Sequence, residues 1–477
     1  MHLQYDPGDG EAFWAAVRRI PGFPAGEEIP LRRMLFESGA LLRLPAVLAE
    51  AGTSPGSPAI VVMDPTPMRR GAGELKPLVL ALLRQGGRPV EPLVLAPDET
   101  GGVHTTMPQI AAVQSRLRPG VAVVGLGSGS VADIAKHACH RFEQDTGAHI
   151  PLVLVQTANS VSAFTSNMAP VFVDGVKRTL PSRYPDALVC DLETLRDAPY
   201  AMTAAGVGDL LAAFVSLPDW YLAHRLGMDP SYTPLPQTLM GPLDEIFLTA
   251  ADAIRTRSLE GMALLARLIA LGGLAMSLSH ATTPMSGFEH VVSHILDLLA
   301  ELRGRPLAMH GAQVALATLL GAETYRRFLE EFDPARVDVA ACFPDVEVMR
   351  REVERTFLAV DPTGRAGAEC WADYRVKLEA WHARREVLAA LLRDWPEVRE
   401  ELQRLARPPE RIRAIMRAVA APLTFAELDP PVSEEDVRFA YLSAPLMRRR
   451  FTIGDLLLFL GWDRTAIWRT WKNDPPS

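Results

Sequence analysis

The 477-residue chain is 48% hydrophobic and 22% charged, with a formal net charge of −8. This is the composition of a globular protein with core enough for two or three domains, and its acidic balance excludes bulk attraction to nucleic acid or an anionic membrane. Cys139, Cys190, Cys342 and Cys370 form no CxxC pair, which argues against a disulfide framework or thiolate zinc site and fits a reducing cytosol.

The first residues, MHLQYDPGDGEAFW, carry no basic start and no apolar core, so a signal peptide is not expected. Residues 1–29 read as an extension with one helix near Glu11–Ile20. From Pro30, apolar runs alternate with helical patterns. The runs are Leu31–Phe36, Ala59–Met63, Val90–Leu95, Val121–Gly125, Pro151–Gln156 and Ala187–Cys190. The helices between them are Ala40–Ala51, Glu74–Gln85, Met107–Leu117 and Val131–Phe142. This alternation predicts an α/β domain over 30–198, with a parallel sheet of the Rossmann-like, dinucleotide-binding kind. Beyond it strand candidates nearly vanish. Helical patterns over Ala205–Leu226, Pro242–Ser279, Phe288–Arg303, Ala312–Phe332, Val346–Phe357 and Trp371–Leu392 predict an all-α domain over 199–477. Gly261–Leu278 is the most apolar run, but Arg267 interrupts it. The uncharged remainder is too short to span a bilayer, so a buried helix is expected.

The fourth strand runs into VVGLGSGSVADIAKHA. Gly125, Gly127 and Gly129 allow a tight turn, and the helix that follows offers its first N–H groups to a phosphate. The spacing is not GxGxxG, and a turn without ligand has the same composition. Asp64 closes the second strand, where a carboxylate accepts hydrogen bonds from a ribose diol and favours NAD over its 2′-phosphorylated form. A turn cap looks the same in sequence. The fifth strand exits into QTANSVSAFTS, with Thr157, Asn159, Ser160, Ser162, Thr165 and Ser166. That polar exit suits a cofactor in the crevice beyond the strand ends, or a loop of helix caps.

Asp209, in AGVGDLLAAF, is placed just inside a helix after two glycines. An acid in a first turn is commonly a cap. At the junction of two domains it is also the natural third ligand beside two histidines. Those come from SGFEHVVSHILDLLAELRGRPLAMH. His290 and His294 share one helix face, His310 follows and His280 precedes. Imidazoles gathered around apolar helices suit a divalent metal of the zinc or iron type, although HxxxH pairs also arise by chance.

Taken in order, GLGSGSVADIAK, TANS with its later serines, GVGD, SGFEHVVSH, HGAQ and SAPLMRRRFTIGDLL resemble the sn-glycerol-1-phosphate dehydrogenases. These lie within the wider group of iron-containing alcohol dehydrogenases, glycerol dehydrogenase and 3-dehydroquinate synthase. The resemblance runs from about residue 30 to 465. It implies that Asp209, His290 and His310 hold the metal, with zinc usual and iron or nickel as alternatives. It implies that His294 contacts the substrate and acts in catalysis, and that Ser162 faces the substrate too. Gly127, Ser128, Gly129, Ser130 and Val131 match the pyrophosphate turn. Thr157, Ser160 and Ser166 match cofactor contacts and Asp64 the ribose contact, with NAD the cofactor and NADP the alternative. The chain departs from the family's pattern at Ser162, Ala213 and Ala312, where the family has aspartate, lysine and glutamate.

The implied activity is reversible reduction of dihydroxyacetone phosphate or a related small carbonyl compound. Alternatives are a dehydrogenase of another polyol or alcohol, a sugar-phosphate cyclase like 3-dehydroquinate synthase, and a binding protein that kept the fold without catalysis. Lys177, Arg178 and Arg183 offer charge to an anionic group or serve as surface charges. A cytoplasmic homodimer acting on a small, phosphorylated or unphosphorylated molecule is expected, with neither nucleic acid nor membrane as partner.

Overall fold

The computed structural model describes residues 3–27, 29–99, 101–173 and 176–473. Tertiary contacts divide the chain into two compact units. One comprises Met1–Leu210, Pro234–Leu278 and Ala418–Ala420; the other comprises Leu211–Thr233, Ser279–Arg417 and Ala421–Ser477.

The first unit is built on one parallel sheet of six strands: β1 (Arg33–Glu37), β2 (Ala59–Met63), β3 (Val90–Val94), β4 (Ala122–Gly127), β5 (Leu152–Gln156) and β6 (Ala187–Asp191). Their order is β1-β6-β5-β4-β2-β3. Helices cover both faces of such a sheet, so inner strands need apolar residues at every position rather than at alternate ones. Every residue of β2, β4, β5 and β6 is buried, whereas edge strand β3 has no fully buried residue. Val61, Val124, Val153 and Val189 lie fully buried in the core on one face. Each such valine contributes roughly 1.5–3 kcal/mol through burial. Chain direction across the sheet reverses at the β2–β4 seam, because β3 lies on one side of β2 and β4 on the other. Crevices that take nucleotides form at the carboxyl ends of strands beside such a reversal.

Two further features of this unit differ from expectation. An antiparallel hairpin, Met168–Val173 with Val176–Pro181, follows the polar exit of β5. It escaped the sequence because each strand carries a proline and the second mixes apolar with polar residues. The helix expected over Pro242–Ser279 is two helices, Leu243–Arg255 and Leu259–Leu278. The chain turns between them at Arg257, whose φ of 54° is left-handed, and whose Nη1 donates to the carbonyls of Arg196 (3.2 Å) and Ala198 (3.1 Å). Helical periodicity ran on through that turn and hid it.

The second unit is helical, and no strand occurs among its described residues. Phe288–Leu302 and His310–Glu331 pack side by side, and Gln313 Nε2 donates to Asp297 Oδ1 across them at 3.1 Å. The pattern expected over Trp371–Leu392 resolves into Arg365–His382 and Arg385–Arg393. Two segments, Tyr200–Arg225 and Leu259–Leu278, are long and apolar enough to cross a membrane, but 78% and 89% of their most apolar windows are buried in the protein. All four cysteines are free and buried.

One buried cation ties the sheet unit together next to the hairpin. Lys136, fully buried on the Gly129–Thr146 helix, donates to the carbonyls of Ala163 (2.6 Å), Ser166 (3.0 Å) and Met168 (2.8 Å), and pairs with Asp133 at 2.9 Å. Removing the ammonium leaves a buried carboxylate and three carbonyls to find other partners. Lys136→Met is expected to cost about 3–5 kcal/mol, read as a lower denaturant midpoint, with Asp133→Asn in the same chain restoring part of it.

Candidate functional site

In the sheet unit, three adjacent strand ends converge. Met63 of β2 pairs with Leu126 of β4, and Gly127 of β4 pairs with Gln156 of β5. Asp64, Ser128 and Thr157 therefore emerge side by side at the carboxyl edge. The Gly129–Thr146 helix starts there, with Ser128 at its N-cap. The glycines are demanded by close packing. A Cβ on Gly127 would lie 2.5 Å from Val131 Cγ2, and one on Gly129 would lie 2.7 Å from Val161 Cγ2. Helix, strand and exit loop thus approach until only hydrogen atoms fit between them, which brings the helix's first N–H groups, Ser130 and Val131 among them, up to the edge.

The polar exit divides into two groups. Ser160 Oγ lies 2.8 Å from Ser128 Oγ, joining loop to turn. Asn159 and Thr165 serve the fold. Asn159 accepts from Gln156 Nε2 (2.7 Å) and donates to Met262 O (3.1 Å); Thr165 donates to Ala270 O (2.7 Å); Ser166 Oγ accepts from Met168 N (3.1 Å). Asp64 accepts from the backbone N–H of Thr66 at 2.9 Å and pairs with Lys76 at 2.7 Å. Its carboxylate closes a turn and already faces a cation. Lys76 was not singled out from sequence; its position one residue inside the helix after β2 was the available signal.

Asp209 departs from expectation in its local setting. Its helix runs Tyr200–Leu211, so Asp209 sits in the last turn and not the first. Gly206 misled the assignment. It marks a crossing, since a Cβ there would fall 2.2 Å from Asn159 O. Asp209 Oδ2 accepts from the backbone N–H of Ser162 at 2.9 Å. Asp209 and Ser162 are both buried, and the Ser162 hydroxyl has no hydrogen-bond partner. Gly272 closes over that hydroxyl, with a notional Cβ 2.9 Å away.

In the helical unit, three imidazoles gather. The ring centroids of His290 and His310 are 5.2 Å apart, and His294 is 6.1 Å from each. His280 is exposed and takes no part in these ring contacts. His290 Nδ1 donates to Glu289 Oε1 at 2.8 Å, and Ser293 Oγ lies 3.5 Å from His310 Nδ1. Glu289, fully buried, also accepts from Gly287 N at 2.6 Å. Beneath them Asp219 accepts from Phe288 N (2.7 Å), Tyr325 Oη (2.6 Å) and Ile453 N (2.8 Å). Asp219 Oδ2 and Glu289 Oε2 both face the space a Gly287 side chain would fill, at 2.6 and 3.0 Å from its notional Cβ. Burial first, and then the negative charge of Glu289, push the Asp219 carboxyl up to about 8. Neither carboxyl was singled out from sequence; the acid directly before His290 was the readable signal.

The basic residues divide as well. Arg183 is a structural cation, paired with Glu143 and with Asp186 at 2.7 Å. Lys177 lies 5.9 Å from the Phe172 ring centre across the hairpin. Ala213 is buried and Ala312 half-buried, so these two departures put methyl groups where the resemblance implies a lysine and a glutamate.

Comparison with known proteins supports the motif resemblance. Residues 35–199 match the family model for iron-containing alcohol dehydrogenase. The chain is 33% identical over 224 residues to a glycerol-1-phosphate dehydrogenase [NAD(P)+] of Bacillus subtilis, covering 46% of this chain and 55% of that one. It is 29% identical over 301 residues to the enzyme of the same name from Geobacillus stearothermophilus, covering 63% and 71%. The chain spans about half the length of the first curated relatives it matches. Among solved structures, a 1,3-propanediol oxidoreductase superposes with a TM-score of 0.54 at 17% identity over 92% of this chain and 97% of that one. That likeness establishes a shared fold.

Asp219 makes the helical unit sensitive to pH. Its carboxyl binds a proton more tightly folded than unfolded, so the stability tied to that proton is complete below 3.8 and is lost as pH rises toward 8. Asp219→Asn is expected to lower stability by about 1–3 kcal/mol, because Phe288 N loses its acceptor. It should also flatten the decline with pH across that window. Unfolding curves at a series of pH values test this, and an unchanged slope counts against it.

Proposed function

We propose that this chain is a metal-dependent NAD(P)(H) oxidoreductase resembling sn-glycerol-1-phosphate dehydrogenase, which reversibly reduces dihydroxyacetone phosphate or a related small carbonyl compound. The observation that carries the proposal is the approach of His290 and His310 to 5.2 Å between rings, with His290 Nδ1 held by buried Glu289. A carboxylate on one imidazole nitrogen fixes the tautomer and aims the other nitrogen, an arrangement typical of metal-bound histidine. Asp209 is proposed as the third ligand on the strength of the GVGD motif. Two imidazoles and one carboxylate suit zinc, with iron or nickel as alternatives.

When bound, the metal polarises the substrate's carbonyl and stabilises negative charge on its oxygen, while the nicotinamide cofactor carries the hydride. The chain's own residues bind and orient. Backbone N–H groups of Gly129, Ser130 and Val131 donate to the cofactor's pyrophosphate. The paired hydroxyls of Ser128 and Ser160, with Thr157 and Ser166, line the remainder of the cofactor's path. Asp64 meets the adenosine ribose of NAD, and Lys76 beside it supplies a cation for the 2′-phosphate of NADP. Ser162 presents a small neutral group on the substrate side. His294 hydrogen-bonds the substrate and moves its proton, a role the imidazole's range suits. The reading places a homodimer in the cytoplasm.

The absence of a lysine at Ala213 and a glutamate at Ala312 favours a second reading, a related dehydrogenase of another polyol or alcohol. Absorbance of the reduced nicotinamide, followed with dihydroxyacetone phosphate, dihydroxyacetone and simple aldehydes, separates the two. Elemental analysis of the purified protein is expected to find one divalent metal per chain. His310→Ala should lose both metal and turnover, and Glu289→Gln should weaken metal affinity about 10–100-fold in chelator competition. Retained turnover in Asp209→Ala and His290→Ala would sink the metal-dependent reading.

A further inference from the structure

Three consecutive arginines in SAPLMRRRFTIGDLL take three different directions within the helical unit. Arg449 is exposed, with Nε 2.9 Å from Asp373 Oδ1. Arg450 runs inward and donates to Ser286 Oγ and Thr282 Oγ1, on the segment that leads into the His290 helix. Arg448 turns toward the histidines, its Nη2 3.3 Å from His294 Nδ1.

The backbone that presents Arg448 is firmly held. Buried Lys377 donates to the carbonyls of Pro445 (2.8 Å), Met447 (3.4 Å) and Arg450 (3.3 Å), and pairs with Asp455. Thr452 and Asp455 close a capping box at the start of Ile453–Phe459. Between these anchors Arg448 has a φ of 67°, in the left-handed region that L side chains rarely adopt. A strained non-glycine residue kept in place by buried anchors on both sides is a mark of functional placement. A guanidinium can only donate, so the contact makes His294 Nδ1 an acceptor and leaves that ring's proton on Nε2.

We propose that Arg448 is the specificity-determining residue for a phosphorylated substrate. Its guanidinium binds the phosphate, His294 lies between, and the carbonyl end faces His290 and His310. This rests on the reading under Proposed function and names the substrate class of that site. Arginine presents a planar fork of donors that matches phosphate oxygens in pairs. Arg448 touches His294, and the His294 ring lies 6.1 Å from those of both His290 and His310, a step on the scale of a three-carbon phosphate.

The test uses Arg448→Asn, since asparagine tolerates the left-handed backbone and removes the guanidinium without adding strain. Two readouts are taken on the full chain. The first is the ratio of kcat/KM for dihydroxyacetone phosphate to that for dihydroxyacetone, expected to fall about tenfold or more through KM, with Arg448→Lys recovering part. The second is the rise in unfolding temperature caused by inorganic phosphate, expected to shrink in Arg448→Asn. Arg449→Asn should alter neither. An unchanged ratio, or an equal loss on both substrates with phosphate protection intact, overturns the proposal and leaves Arg448 as a positioning residue for His294. If the wild type turns over neither substrate, the oxidoreductase reading fails, and the phosphate readout still decides the assignment. Protection lost in Arg448→Asn supports it; equal protection overturns it.

Discussion

Asp219 is the knot of the helical unit. From Ala213–Arg225 it accepts the first N–H of Phe288–Leu302, the first N–H of Ile453–Phe459, and the hydroxyl of Tyr325 on His310–Glu331. Four helices therefore meet on one buried carboxyl group. Helix starts leave N–H groups that need acceptors, and a buried acceptor shared by two of them sets both helices in place at once. The helices so placed carry His290, His294 and His310, and Ile453–Phe459 follows the loop that carries Arg448. Glu289 adds the link from this knot to a candidate metal ligand, since it holds both the Gly287 N–H and His290 Nδ1. Gly287 has to be glycine because both carboxyl groups crowd the space beside it.

The sheet unit uses a cation to the same end. Lys136 collects carbonyls from the β5 exit and the hairpin, which holds Thr157–Ser166 against the Gly129–Thr146 helix. The polar exit is thereby rigid before any ligand arrives, and the cost of ordering it falls on folding rather than on binding. A methyl group at Gly127 would push this helix off its strand, and one at Gly129 would push it off the exit loop, so the phosphate-facing turn and the core packing are one constraint.

Much of this was legible in the chain because its signals are local. Each of the six sheet strands lies within two residues of its apolar run at either end, since inner strands of a parallel sheet are apolar at successive positions. The glycine turn, GVGD and the histidine motifs could be read as chemistry from residue type and spacing. Where one pattern continued across a turn, the sequence misled: Arg257 splits a run of uniform helical periodicity, and Gly206 reads as a helix start while sitting mid-helix at a crossing. The hairpin was missed because a proline sits in each of its strands, which argues against a strand when read from sequence.

The sequence by itself determined the parallel α/β architecture, the helical character of the later chain, and which residue types could serve a nucleotide and a metal. These follow from periodicity and side-chain chemistry, which are properties of neighbours along the chain. Only the tertiary structure decided that Asp64 is matched with Lys76, that Asn159 and Thr165 serve the fold, and that Glu289 steers His290. It alone brought Arg448, more than a hundred and fifty residues downstream, to His294. Such pairings depend on which buried polar groups meet across distant segments, and burial forces each to find a partner that no local pattern encodes.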